Sequence, residues 1–183
     1  MSDIASPEAI IDFWFVELKP ADWWSAKPEL DRVIAERFGE THVRLALGEG
    51  FSWRESSEGR LAEIIVLDQF SRQLFRGEAR AFAQDGMALV LAQEAVAGGF
   101  DMRLPAERRA FLYMPFMHSE SLLVHDSVQP LLAALGGEFL ESAEGHLGVL
   151  RRFGRYPKRN IALGRSSTEE ELAYIADSGN RMF

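Results

Sequence analysis

Apolar residues recur three and four apart along nearly the whole chain, and no stretch shows the strict alternation of a half-buried strand. Ser6-Pro7-Glu8 reads as a cap, a proline at the first helical position and an early acid. Ile10, Ile11, Trp14 and Phe15 follow at helical spacing, which predicts a helix over about residues 7–17. Lys19-Pro20 breaks it, and Asp22-Trp23-Trp24-Ser25 reads as an aromatic connector. A second amphipathic helix is expected from Pro28 to about Gly48-Glu49-Gly50. A third begins at Ser56-Ser57-Glu58, runs through Leu61, Ile64, Ile65, Leu67, Phe70, Leu74 and Phe75, and stops at Gly77. It is apolar almost all round, so it belongs at the centre.

A fourth helix is expected from about Ala79 to Ala97, closing at Gly98-Gly99. Another runs from Pro105 to about Met114, where Pro115 stops or kinks it. Ser119 is positioned to cap a helix carrying Leu122, Leu123 and Val128, which Pro130 bends or divides. Gly136-Gly137 precedes a helix over about residues 138–153, and Thr168-Glu169-Glu170-Glu171 opens the last one. Short loops between successive helices predict antiparallel pairs in one all-α domain over residues 1–183, with no fixed repeat length visible.

Composition narrows the chemistry. With 183 residues and 47% hydrophobic content the chain can bury a sizeable core. It has no cysteine, which removes disulfides, thiolate nucleophiles and Cys-type zinc sites. A net charge of −8 opposes general nucleic-acid binding, where phosphate contacts supply most of the affinity. No apolar run reaches the length of about 18 residues that a membrane helix needs, and Met1-Ser2-Asp3-Ile4 lacks the pattern of a secretory signal. The expected location is the cytoplasm, with no cofactor and no bound metal.

Three segments carry polar groups in unusual places. At about 100° per residue, Asp68, Arg72 and Arg76 fall on the face of the third helix that also carries Leu61 and Ile65. They form either an intrahelical ion pair or part of a pocket in which an arginine fork meets an anion. His118 lies within Tyr113-Met114-Pro115-Phe116-Met117-His118-Ser119-Glu120, at an expected helix start whose free N–H groups suit an anion or a local cap. His125, seven residues on, can face the same side, although the spacing matches no recognised metal pattern. His146 shares a face with Val149, Leu150 and Phe153, as a core histidine or a proton carrier. The run from Arg151 to Asn160, with Arg165 beyond it, is strongly basic for an acidic chain. These cations either pair with carboxylates of neighbouring helices or form an anion-binding rim walled by Tyr156.

Leu67-Asp68-Gln69-Phe70-Ser71-Arg72-Gln73-Leu74-Phe75-Arg76-Gly77, the segment 113–120 and Arg152-Phe153-Gly154-Arg155-Tyr156-Pro157-Lys158-Arg159-Asn160 together resemble the bacterial domain-of-unknown-function 924 family. The opening Ile11-Asp12-Phe13-Trp14-Phe15 is similar as well, so the likeness spans nearly the whole chain. The resemblance implies an all-helical fold similar to tetratricopeptide-like arrays, and it implies no activity. It draws attention to Asp68, Arg72, His118, Glu120, His146, Arg155, Arg159 and Asn160 as candidates for a shared cleft. This chain departs from the family pattern at Lys158, where a histidine is usual, at Leu147-Gly148 in place of an Arg-Asp pair, and at Gln73 in place of an asparagine.

The leading expectation is a helical protein that binds a small anionic molecule or an acidic peptide end through Arg72, Arg76, His118, Arg155, Arg159 and Asn160. The alternative is a hydrolase in which His118 or His146 is a general base oriented by Asp68 or Glu120. A protein-interaction scaffold is the third reading. No nucleophile elbow and no phosphate-binding glycine loop supports serine or nucleotide chemistry.

Overall fold

The computed structural model describes residues 4–178, and among these every regular element is helical. Helix α1 (Pro7–Asp12) is capped by the Ser6 hydroxyl, which accepts from the Ala9 N–H, and it continues as a wider π turn over Phe13–Glu17. The expected connector contains a short helix α2 (Pro20–Trp23): Pro20 breaks α1 yet starts this turn, and Asp22 accepts from the Lys19 N–H. Then come α3 (Pro28–Ala46), a 3-10 turn (Phe51–Glu55), α4 (Ser57–Ile64), a π segment (Ile65–Phe70) and α5 (Ser71–Leu74). A 3-10 turn (Ala79–Phe82), α6 (Asp85–Ala97) and a second such turn (Asp101–Arg103) lead to α7 (Ala106–His118). The chain closes with α8 (Leu122–Leu135), α9 (Gly137–Phe153), a 3-10 turn (Pro157–Arg159) and α10 (Glu169–Ser178). Helix lengths range from 4 to 19 residues, so the elements show no constant repeat.

The residues pack as two compact units. Among the described residues, the first takes 4–76 together with Arg80–Pro115, and the second takes Gly77–Ala79 and 116–178. In the first unit α1 packs on α4, α3 packs on α5 and the π segment, and α4 packs on α6. The ten residues from Leu61 to Phe70 are all buried, as expected of a helix apolar on every side. An aromatic cluster centres on Phe111, whose ring lies 4.8–6.0 Å from those of Trp14, Phe15, Trp23 and Trp24. In the second unit α8 packs on α9, and α10 on the Pro157–Arg159 turn.

Two prolines do not end their helices. Pro115 lies inside α7, which runs on to His118, and Pro130 lies inside α8. Each removes one N–H from a helical ladder. Burial of Phe111, Leu112, Tyr113, Met114, Phe116 and Met117 around Pro115 holds that helix together regardless. The expected cap also moves. Ser121, not Ser119, precedes α8, and the Ser119 hydroxyl accepts from the Ser121 N–H in the turn between helices. The expected fourth helix splits, with α6 beginning only at Asp85.

Candidate functional site

In the first unit the central helix carries a buried charge cluster. Arg72 donates to the Asp68 backbone carbonyl and lies 3.2 Å from the Asp68 carboxylate and 3.0 Å from that of Asp85. Gln69 donates to Asp68 and to the Met114 sulfur. Burial alone would disfavour the Arg72 cation, but Asp68 and Asp85 more than offset this and raise its pKa. Asp68 and Arg72 thus form the expected i,i+4 pair with a third member that sequence spacing did not suggest. Arg76 departs from that face because α5 ends at Leu74; it makes a two-pronged pair with Asp31 of α3 instead. The same unit holds a contact without any local signal, His42 Nε2 at 2.8 Å from the Ser71 hydroxyl. Since that hydroxyl donates to the Leu67 carbonyl, the His42 ring nitrogen is the donor.

The second unit gathers the other candidates in two adjoining layers. The outer layer is a chain of ion pairs. Glu120 accepts from both guanidinium ends of Arg165 and from the Tyr156 N–H. Arg165 donates in turn to the Asn160 side-chain oxygen, and Asn160 donates to Glu171 and to the Ser167 hydroxyl. Arg155 closes the chain with two bonds to Glu171 and one to the Ser166 carbonyl. Thr168 and Glu171 satisfy each other's backbone N–H groups, the reciprocal cap expected from Thr168-x-x-Glu171. The Arg155 bond and the Thr168 N–H lower the Glu171 carboxyl to about 2. Burial works against ionisation of Glu120, yet Arg165 and the Tyr156 N–H still hold its pKa below the ordinary carboxylate range. Arg155, Asn160 and Glu120 are therefore fastened into a network in which Arg165 and Glu171 are equal members.

The inner layer consists of three histidines around Tyr156. The His118 and His146 rings are 5.9 Å apart, and the His146 ring meets the Tyr156 ring edge-on at 5.7 Å. The Tyr156 hydroxyl donates to the Met117 carbonyl and lies 3.0 Å from His125 Nε2. His125 Nε2 is also 3.0 Å from the Ser119 carbonyl, which can only accept, so this nitrogen carries the proton. Its Nδ1 is buried and has no hydrogen-bond partner among the described residues. His146 Nδ1 lies 2.7 Å from the Ser142 carbonyl and must likewise be the protonated nitrogen, which makes Nε2 the basic one. The Arg159 guanidinium stands 4.7 Å over the Tyr156 ring. Burial first, and then repulsion from His118, His125 and Arg159, push His146 down to about 3. Burial likewise lowers His125, outweighing the help of the Ser119 carbonyl.

His118 is the last residue of α7 rather than the neighbour of a helix start. A helix end presents carbonyls and favours positive charge, and α8 begins only at Leu122. Among the described residues no group of three or more His, Cys, Asp or Glu side chains is arranged to hold a metal ion, and no helix is long and apolar enough to cross a membrane.

Removing the Tyr156 hydroxyl tests how tightly this layer is tied. Tyr156→Phe keeps the ring but withdraws the donor to Met117 and a partner of His125. The expected cost is about 1–2 kcal/mol of unfolding free energy by denaturant titration, and a loss near zero would mean that the hydroxyl's bonds do not stabilise the fold.

These observations define an all-helical protein whose second unit concentrates histidines, a tyrosine and an arginine beside a satisfied ion-pair network. The chain belongs to the bacterial family of unknown function DUF924, which it matches over residues 10–179. A solved structure is similar to it: the protein of unknown function ATU0120 from Agrobacterium tumefaciens, 36% identical, with a TM-score of 0.89 and coverage of 93% of this chain and 97% of that one. No curated protein matches the sequence.

Proposed function

We propose that the second unit binds a small molecule through a carboxylate or phosphate group received by His118, His146 and Arg159. The observation that supports this reading is a gathering of groups that can carry positive charge: the His118 and His146 rings lie 5.9 Å apart, and the Arg159 guanidinium stands over the Tyr156 ring that meets His146 edge-on. Groups of one sign repel, and an anion among them relieves that repulsion. Arg72, Arg76 and Arg155 hold their guanidinium groups against carboxylates.

A hydrolase reading receives less support. The Ser142 carbonyl orients His146, whereas Glu120 is engaged by Arg165 and Asp68 belongs to the first unit with Arg72.

Titration of isotope-labelled protein with sulfate, phosphate and small di- and tricarboxylates tests the proposal. The expected result is saturable shifts at His118, His146 and Arg159, with affinity falling about tenfold or more in Arg159→Gln, the scale of one charge-assisted hydrogen bond. If none of these anions perturbs those residues, the proposal is wrong.

A further inference from the structure

We propose that Arg60, Arg103 and Arg109 of the first unit form a binding site for a dianionic oxyanion, the phosphate group of a small molecule. The inference goes beyond the binding proposed for the second unit and uses none of its residues.

The three arginines meet around Phe100. The guanidinium of Arg60, on α4, stands 4.1 Å over the Phe100 ring centre, and that of Arg103 lies 5.0 Å from it. The two charges are therefore no more than about 10 Å apart, a range over which about 0.1 M salt leaves like charges incompletely screened. Arg109, in the first turn of α7, reaches back to the same stretch and places its Nη1 3.5 Å from the Met102 sulfur. The ring that gathers them is fixed in place, since it packs so closely on Gly98 that a Cβ there would fall 2.8 Å from it.

Their partners set these arginines apart from their neighbours in sequence. Arg54 pairs with the buried Glu63, and Arg108 with Glu58. Arg60, Arg103 and Arg109 form no ion pair with a carboxylate among the described residues. The acid within their stretch, Asp101, is buried and accepts from the Tyr113 hydroxyl. An aromatic face and a thioether sulfur attract a cation but are weak acceptors for its N–H groups.

The arrangement of donors points outward. The Nε of Arg60 is buried without a hydrogen-bond partner among the described residues, while its two Nη groups face solvent and bond to no described side chain or carbonyl. The Nε of Arg109 is likewise buried and unpartnered. Burial at Nε and contact with Phe100 hold the Arg60 fork with its outer edge presented, so little freedom is lost when an oxyanion meets it. Arg109 stands at the positive end of α7, where the helix dipole disfavours a cation and favours an anion. A phosphate group supplies charge and several acceptors together, which suits planar guanidinium forks. The net charge of −8 opposes a phosphate polymer and favours a small phosphorylated molecule.

Inorganic phosphate at about pH 8, where the dianion predominates, is the probe. Titration of the whole chain, isotope-labelled at its arginines, is expected to give saturable shifts of the Nε–H resonances of Arg60, Arg103 and Arg109. No such response is expected at Arg32, an exposed arginine paired with Glu36. Arg60→Gln and Arg103→Gln are each expected to weaken phosphate binding about tenfold or more, the scale of one charge-assisted hydrogen bond. Arg32→Gln removes the same charge and is expected to leave the affinity unchanged. Arg103 is exposed, so its variant decides the matter if Arg60→Gln does not fold. The proposal is overturned if phosphate gives no saturable shift at the three arginines, or if Arg32 responds equally. It is also overturned if a single-stranded oligonucleotide binds there while free phosphate does not. Resonances of His118, His146 and Arg159 report separately on the second unit, so either proposal can fail alone.

Discussion

Arg72→Met is expected to lower the unfolding free energy by about 3–5 kcal/mol, because it leaves the Asp68 carboxylate buried without its cation. Asp68 lies wholly inside the first unit, and the Gln69 amide that donates to it is neutral and cannot balance its charge. Protonation of the stranded Asp68 recovers some of this loss, so the deficit is expected to shrink as the pH is lowered. Combining Arg72→Met with Asp68→Asn is expected to be less damaging than the sum of the two single changes, since the double variant removes both buried charges. Recovery remains partial because Asp85 also loses its arginine. Denaturant unfolding of the four proteins in the cycle measures this. A loss of less than about 1 kcal/mol for Arg72→Met would show that the cluster is not a closed structural unit and would return Arg72 to the candidates for ligand contact.

Phe111→Ala is expected to cost about 3–5 kcal/mol, corresponding to a fall in melting temperature of roughly 10 °C for a chain of this size. The reason is the place of Phe111 in the aromatic cluster. Its ring is met by Trp14, Phe15 and Trp23 edge-on and by Trp24 face to face, so truncation opens a cavity lined by four large, rigid side chains. Trp14 and Trp23 are further held by a hydrogen bond from the Trp23 indole to the Trp14 carbonyl, which limits their collapse into the space. Phe111→Leu fills part of that space and is expected to lose roughly half as much. Thermal unfolding of the two variants compares them directly, and equal losses would mean that aromatic geometry rather than volume sets the cost.

Much of the architecture was legible because the signals were local. Ser6, Ser56 and Thr168 each cap a helix by accepting an N–H three residues on, which residue type and spacing alone announce. Gly154 ends α9 in a left-handed conformation for the same kind of local reason. What local chemistry could not convey was any choice made by packing. Pro115 reads as a stop or a kink, and only the burial on both sides of it favours a helix that continues. Asp68 and Arg72 were paired correctly at four residues' spacing, whereas Asp85 and the Arg76 partner Asp31 lie 13 and 45 residues away from the arginines they meet.

The site was legible in the same uneven way. The basic run after α9 and the carboxylates of α10 were visible as opposite charges, but the partner of Arg165, Glu120, is 45 residues away. His118 was singled out for a helix start and lies at a helix end, since the start depended on Ser119 being the cap. Tyr156 was read as a wall, while its hydroxyl is the junction that joins α7 to His125. That role follows from a 39-residue separation that no periodicity encodes.

The π segment at Ile65–Phe70 sets how the rest of its helix is phased. A π turn holds roughly one residue more than an α turn, so everything after it is rotated by about 100° relative to an unbroken helix. Deleting one residue there would preserve the hydrophobic composition yet turn Ser71 away from His42 and Arg72 away from Asp85. This stretch should therefore tolerate conservative exchanges of side chain far better than changes of length, so that insertions and deletions in related chains are expected to collect in the loops on either side of it.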